Sequence, residues 1–298
     1  MFENELGENC EFGCYHPAVT ACYYILVIGI TMFSMSPFFL CATFFFAWLY
    51  AVLMRGRKVI KKNLIMLLTI VVLMTAINTF FTHNGETVLF YINRNRITLE
   101  AFVYGLSASV MLISVMIWFE SFQALMSSDK LIFLFGKFIP VIGLVISMIF
   151  RFVPLLKNRY EEISMGQKCM GRGGQKGLTA RVRQLAKEVS ILIAWSLEAS
   201  IESADSMSAR GYGLRGRSSF HLFKMTGRDI RMLVYMVAAG GVVIAGGALG
   251  ETTMAFYPKL IWKIPHPAVF TAFLLLLILP LIIDLAGEYK WKKSISKM

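Results

Sequence analysis

Seven apolar runs, each close to the length needed to cross a lipid bilayer, constrain this chain more than any other feature. A transmembrane helix takes about 20 apolar residues and at least about 17. The 298 residues are 57% hydrophobic and 16% charged, whereas soluble proteins are roughly 45–50% apolar and about 25% charged. We therefore expect an all-α, polytopic integral membrane protein rather than a disordered chain. The runs lie near residues 18–34, 37–54, 63–81, 101–119, 131–150, 232–250 and 268–286.

Basic residues cluster beside these runs and predict their orientation. Residues 55–62 hold five basic and no acidic residues, 151–231 hold 15 against 7, and 288–298 hold four against one. Lys and Arg concentrate in loops that face the cytoplasm. We therefore expect all three stretches to be cytoplasmic and the protein to lie in the cytoplasmic (inner) membrane of the cell. The apolar runs already explain this charge, so nucleic acid is not an expected partner.

An even number of spans must separate any two cytoplasmic stretches, and this requirement limits the number of spans to about six. If the chain starts inside, a crossing by 131–150 would put the basic block 151–231 outside. Gly136, Pro140 and Gly143 interrupt this run, so we expect it to lie at the interface or within the protein without crossing. The alternative is that one of the short early runs is re-entrant. The predicted domains are a membrane domain at 1–150, a cytoplasmic domain at 151–231, and membrane helices with a basic tail at 232–298.

The block 151–231 is predicted to form two amphipathic helices that each finish with an arginine beside glycine. The motifs are Gly171-Arg172-Gly173 and Ala209-Arg210-Gly211. Small neighbours allow a helix end to approach another surface closely, and the forked guanidinium suits a carboxylate on that surface. This pattern favours docking to a protein. The alternative is a pair of surface helices attracted to anionic lipid.

The sequence carries no signature of an enzyme, a cofactor site or a metal site. It has no Walker-type, H-E-x-x-H or G-x-S-x-G motif, and Cys10, Cys14 and His16 lack an evident fourth ligand. A self-contained permease or channel, the alternative function, would usually show ionisable residues inside its spans. The ionisable residues of the apolar runs instead sit near the run ends, which disfavours that alternative: Glu100, Glu120 and Asp284.

Five stretches carry a family resemblance: His16-Pro17, Asn84 to Phe90, Ile97 to Glu100 with Gly105, Arg151 to Pro154, and Ala209-Arg210-Gly211-Tyr212-Gly213. Through them the chain resembles the transmembrane T component of energy-coupling factor (ECF) transporters, which import vitamins and metal ions in bacteria and archaea. The resemblance covers most of the chain, and its last stretch is the most specific. The first arginine motif departs from the family's Ala-Arg-Ser or Ala-Arg-Gly, because Gly171 replaces the alanine.

The resemblance implies a division of labour among subunits. In that family the T component is not an enzyme, and it couples two cytoplasmic ABC-type ATPases to a small membrane protein, the S component, which binds the substrate. The residues expected to dock on the ATPases are Gly171, Arg172, Gly173, Ala209, Arg210 and Gly211. The candidates for contact with the S component, with packing inside this protein's own coupling domain as the alternative, are Leu156, Tyr160, Ile163, Ile193, Leu197 and Ile201.

Overall fold

The computed structural model describes residues 10–56, 58–82, 85–92, 95–138, 140–172, 177–212, 214, 223–257, 260–261 and 264–295. Within them a short 3₁₀ turn, Glu11–Cys14, precedes the first of a series of α-helices. The helices are α1 Pro17–Phe33, α2 Pro37–Arg55, α3 Lys58–Phe81, α4 Leu99–Leu125, α5 Ser128–Phe138, α6 Pro140–Gln167, α7 Leu178–Ala209, α8 Gly227–Ala248 and α9 Pro267–Ile295. Strands β1 Val88–Ile92 and β2 Asn95–Thr98 form an antiparallel hairpin between α3 and α4.

The prediction of an all-α membrane protein with about six apolar spans is confirmed, although the membership of the six differs. The prediction included 18–34 and left out 131–150. At 17 residues α1 is shorter than the six helices, whereas the apolar start of α6 continues into a long helix. The described helices long and apolar enough to cross a membrane are Pro37–Arg55, Val59–Phe81, Leu99–Leu125, Val141–Gly171, Gly227–Ala248 and Pro267–Ile295.

Helix boundaries follow local stop and start signals. Proline occupies the first position of α1, where its missing N–H costs nothing because that group has no partner inside the helix. The Nδ1 atom of His16 accepts a hydrogen bond from the N–H of Ala18 at 3.2 Å and caps the same helix. Gly56, with φ of +71°, ends α2.

The chain divides into two compact units, Met1–Leu131 with Phe223–Met298, and Ile132–Leu222. The domain boundaries predicted at residues 150 and 231 fall inside α6 and α8. Both boundaries coincide with changes in composition between apolar and basic stretches. An amphipathic helix continues across such a change without a break, because the backbone hydrogen bonds do not depend on side-chain polarity.

The core of the first unit is an aromatic cluster around α4. Trp118 is fully buried, and its ring lies 6.0 Å from that of Tyr23 and 5.9 Å from that of Tyr50. The hydroxyl of Tyr50 donates to Oδ2 of Asp284 at 3.1 Å, and the N–H of Phe12 donates to Oδ1 at 2.8 Å. The cluster therefore joins α1, α2, α4 and α9 with the N-terminal turn.

A carboxylate at the end of α4 binds the basic stretch that follows α2. Glu120 accepts hydrogen bonds from Arg55 and from Lys62, the latter at 2.6 Å. Arg55 and Glu120 are each about one-fifth exposed. Since Arg55 ends α2 and Lys62 lies in the second turn of α3, the Glu120 side chain joins the end of α2, the start of α3 and the last turns of α4.

The N-terminal turn is fixed at the same end of the unit. Lys130 Nζ donates to the carbonyl of Gly13 at 2.9 Å, and the N–H of His16 donates to Oδ1 of Asp229 at 3.5 Å. Asp229 also completes a capping box with Thr226 at the start of α8. We call this end, which holds residues 10–16, 54–56, 58–62, 118–131, 223–229 and 284–288, the basic end of the first unit.

The remaining helix ends meet at the opposite end of this unit. The N–H of Ser36, between α1 and α2, donates to the carbonyl of Thr252, after α8, at 3.0 Å. The ring of Tyr104, near the start of α4, lies 5.3 Å from that of Phe256. The helices of the first unit therefore alternate: α1, α3 and α8 lead away from the basic end, and α2, α4 and α9 return to it.

Candidate functional site

The second unit contains the two helices that carry the arginine motifs, and a buried polar seam fixes how they pack. Glu188 of α7 is only 2% exposed. Its carboxylate accepts a hydrogen bond from Gln184 Nε2 at 3.0 Å and lies near the hydroxyl of Tyr160 on α6. Beside it the guanidinium of Arg159 lies 5.0 Å from the ring centre of Trp195. Because a buried carboxylate without partners is costly, this seam specifies one register of α6 against α7.

A close approach of two glycines fixes the start of α6 against α5. A Cβ atom built on Gly143 would lie 2.5 Å from the Cα atom of Gly136, closer than real side chains come. The two glycines therefore permit backbone contact between neighbouring helices. The interruption predicted here from Gly136, Pro140 and Gly143 lies between Phe138 and Pro140, where α5 ends and α6 begins.

The first motif begins within a widened turn at the end of α6. Residues Lys168–Arg172 form this π-type turn. Met170 has φ of −78° and ψ of 17°, and Gly171 has φ of +74°, a conformation that favours glycine. The helix thus stops at Gly171, immediately before Arg172. Gly173, the third residue of the predicted motif, lies outside the described residues.

The second motif forms a complete Schellman ending of α7. The N–H of Tyr212 donates to the carbonyl of Met207 at 3.0 Å, and the N–H of Gly211 donates to that of Ser208 at 3.0 Å. Gly211 has φ of +72°. Arg210 is exposed at the C-cap, where a positive charge complements the helix dipole. Ala209 is the last residue of the helix and is also exposed.

The two arginines hold different positions relative to the glycine that stops each helix. Met170 has nearly the φ and ψ of Arg210, which are −81° and 7°. Gly171 likewise matches Gly211. When the helix ends are compared by backbone conformation, Arg172 therefore corresponds to Tyr212, two residues beyond the position of Arg210. The glycine that replaces alanine at position 171 accounts for this, since it lets the left-handed stop occur before the arginine.

The predicted partner-facing residues separate into two groups. Leu156, Tyr160 and Ile163 are half-buried on the face of α6 that includes the seam with α7. Their position matches the alternative of packing within this unit. The α7 residues Ile193, Leu197 and Ile201 are exposed instead. They continue a series of exposed apolar residues that begins near the start of α7 and has helical spacing. We call this row the apolar stripe of α7: Val182, Leu185, Val189, Ile193, Leu197 and Ile201, all between 43% and 64% exposed.

Sequence reasoning missed the polar seam because its members lie on different helices. Glu188 follows Gln184 by four residues, a spacing that indicates a side-chain pair on one face. The sequence alone therefore indicates the Gln184–Glu188 pair. The contact with Tyr160 requires the packing of α6 on α7, which no local pattern specifies.

The fold defines a multi-pass helical membrane protein with a second compact unit in which the long helices α6 and α7 pack together. A family model described as CbiQ, cobalt transport protein, matches residues 16–222, more than half of the chain. The chain belongs to this family, which is that of the T components of ECF transporters. It is therefore a component of cobalt or ECF-type transport, a class that is generally non-catalytic. A search of curated proteins gave no match.

Proposed function

We propose that this chain couples two cytoplasmic ABC-type ATPases to a small membrane S component that binds a vitamin or a metal ion. The observation that carries the proposal is the pair of helices α6 and α7, joined by a buried seam and each stopped by a left-handed glycine beside an arginine. ATP hydrolysis belongs to the partner subunits. The transport role of the family supports this assignment.

Arg210 has the local geometry of a docking residue. Its side chain is exposed, and the two hydrogen bonds that follow it satisfy the carbonyls of the helix end. Gly211 adds no side chain that would keep a partner surface away. A groove on an ATPase that offers a carboxylate would receive the guanidinium as a forked donor. Arg172, after the stop of α6, would dock on the second ATPase in a different orientation.

The apolar stripe of α7 is the surface that we assign to the S component. Ile193, Leu197 and Ile201 belong to it and are 53%, 61% and 64% exposed. A continuous apolar row on an otherwise charged helix is stabilised when another apolar surface covers it. The half-buried set on α6, which includes Tyr160, would act indirectly by holding α7 in position.

The orientation follows from the basic end of the first unit, which we assign to the cytoplasm. The chain leaves this unit at Leu131 and returns at Phe223, and the nearby residues Lys130 and Asp229 are hydrogen-bonded to Gly13 and His16 at that end. A crossing by α6 would require a second crossing before Phe223. No helix described between 173 and 222 is apolar enough for that. We therefore propose that α6 does not cross, despite its hydropathy.

In the coupling step, movement of the ATPases is transmitted through α6 and α7 to the S component. ATP binding draws the two ATPases together, and the docked ends of α6 and α7 move with them. Because Glu188 and Tyr160 fix the two helices to each other, their far ends move as well. The apolar stripe then shifts beneath the S component and changes its orientation or exposure.

Charge reversal at the helix ends tests this proposal. We expect Arg172→Glu together with Arg210→Glu to abolish co-purification of the ATPases, because an ion pair becomes a repulsion. Arg183→Glu is the matched control, since Arg183 is an exposed cation of α7 away from its end. Unchanged co-purification of the double variant would contradict the docking role. Substrate flux by the purified chain alone would favour the permease alternative.

A further inference from the structure

The N-terminal turn, residues 10–16, contacts both places where the chain passes between the two compact units. The chain leaves the first unit at Leu131 and returns to it at Phe223. Lys130, which directly precedes the exit, and Asp229, which follows the return at the start of α8, are both hydrogen-bonded to this turn. The whole second unit separates these two residues in the sequence, so the fold alone brings them to one short segment.

The turn itself is anchored in the core of the first unit. Phe12 is fully buried, and its ring lies 5.3 Å from that of Tyr23 in an edge-to-face arrangement. The N–H of Phe12 donates to Oδ1 of Asp284 at 2.8 Å. An aromatic pair of this kind and a hydrogen bond to a carboxylate both favour one position of a short segment. The turn is therefore fixed to α1 and α9 and can support other elements.

A lysine fixes the exit from the first unit to this support. Lys130 Nζ donates to the carbonyl of Gly13 in the turn and to the carbonyl of Leu125 at the end of α4, both at 2.9 Å. A cation is favourable at the C-terminus of a helix, where the last carbonyls lack partners inside the helix. One ammonium group therefore joins the end of α4, the N-terminal turn and the first turn of α5.

An aspartate and an arginine fix the return to the same turn. Asp229 is buried, and its Oδ1 accepts a hydrogen bond from the N–H of His16 at 3.5 Å. Its Oδ2 accepts from the N–H and the hydroxyl of Thr226 at 2.9 and 2.6 Å. The guanidinium carbon of Arg228 lies 4.2 Å from the ring centre of Tyr15, which is within the range of a cation–π contact. Two neighbouring side chains at the start of α8 therefore contact the turn.

We propose that the N-terminal turn is the pivot of the coupling step, and that Lys130, Arg228 and Asp229 are positioning residues that hold both connections to it. This inference rests on the coupling role proposed for the chain. In a hinge motion, displacement of one end of a rigid pair of helices moves the other end only if the pair turns about a fixed point. Two connections that were not held to one support would bend separately and absorb the displacement.

Three variants separate a pivot from a contact that only stabilises the fold. Lys130→Met together with Arg228→Gln, the untied variant, removes the ammonium donor and the cation beside Tyr15. Lys130→Arg alone keeps a cationic donor at that position and should retain coupling. Lys61→Met together with Arg231→Gln is the matched control, because both are exposed cations near the same end of the unit and the loss of charge is equal.

Hydrogen exchange of the full chain in detergent measures whether the connections are held. We expect the amides of residues 10–16 and 223–229 to exchange at least about tenfold faster in the untied variant than in the control, because a charged hydrogen bond is lost. Lys130→Arg should exchange like the unmodified chain. Equal exchange in the untied variant and the control would overturn the proposal without reference to any partner.

The coupling readout uses the complex purified with its ATPases from the native membrane. In a chain whose five native cysteines are serine, Leu197→Cys places one thiol on the apolar stripe of α7. We expect ATP to change the rate at which a maleimide labels this thiol by about fivefold or more in the parent, the control and Lys130→Arg. In the untied variant we expect a change of less than about twofold, with the ATPases still bound.

The outcomes distinguish the pivot from the coupling role. A full ATP response in the untied variant would overturn the pivot and leave the coupling role intact. Loss of the ATPases from the untied variant alone would also overturn the pivot, since the contacts would then serve docking or folding. Absence of ATPases from every preparation, including the parent, would contradict the coupling role itself.

Discussion

Two arginines that look equivalent in the sequence differ in their relation to the stop of each helix. Arg210 precedes the left-handed glycine of α7, whereas Arg172 follows that of α6. The sequence predicted both arginines as docking residues and noted that Gly171 replaces alanine. It could not predict the consequence, because the position of a left-handed residue depends on which glycine the helix uses. We therefore expect the two docking contacts to have different geometry.

The buried carboxylate of the second unit provides a test at a single residue. We expect Glu188→Ala to leave the amide of Gln184 without its acceptor and to remove the carboxylate near the hydroxyl of Tyr160, which costs about 1–3 kcal/mol. In detergent, hydrogen exchange of residues 178–192 should become roughly 5- to 150-fold faster. Glu198→Ala, at an exposed position of the same helix, is the control. Equal exchange in the two variants would show that the seam does not hold α7.

Helices stop where glycine and proline indicate, and this part of the architecture was readable from the sequence. The ends of α6 and α7 at Gly171 and Gly211 agree with the predicted breaks. The hairpin was missed, because its strands are only five and four residues long and lie between two long apolar helices. The length of α6 was missed as well, since the change to basic residues near 150 suggested a boundary where the helix continues.

The contact between α5 and α6 gives the prediction at the level of helices. Gly143→Ala would place a Cβ 2.5 Å from the Cα of Gly136, so we expect a loss of about 1–3 kcal/mol from overpacking. Gly166→Ala, in the same helix with nothing within 4 Å, should be neutral or stabilising by up to about 1 kcal/mol. Thermal unfolding of the purified variants measures both. A loss of similar size in the two variants would contradict the close approach.

At the scale of the whole molecule, the alternating direction of the helices in the first unit indicates which helices cross the membrane. Apolar length alone does not decide this. By length and composition α6 qualifies as a span and α1 does not. Yet α1 runs beside α8 from the basic end, and the chain leaves and re-enters the first unit at that same end. These contacts favour α1 as a crossing helix of about 25 Å. The cytoplasmic location that we propose for the second unit needs a separate test.

Cys169 tests this topology, because it lies exposed in the turn that follows α6. In a variant whose other four cysteines are serine, a membrane-impermeant maleimide should label Cys169 in inside-out vesicles and not in intact cells. If α6 crosses the membrane, the turn lies outside and the pattern is reversed. Labelling after detergent treatment controls for the reactivity of the thiol.

The central claim is that this chain works as a coupling subunit, and its most direct test is purification from the native membrane. The chain is captured in mild detergent and everything that accompanies it is identified by mass spectrometry. The account predicts two ABC-type ATPases and a small hydrophobic protein, in amounts that fall when Arg172 and Arg210 are changed to glutamate. Recovery of the chain alone, together with substrate flux when it is reconstituted in liposomes, would contradict it.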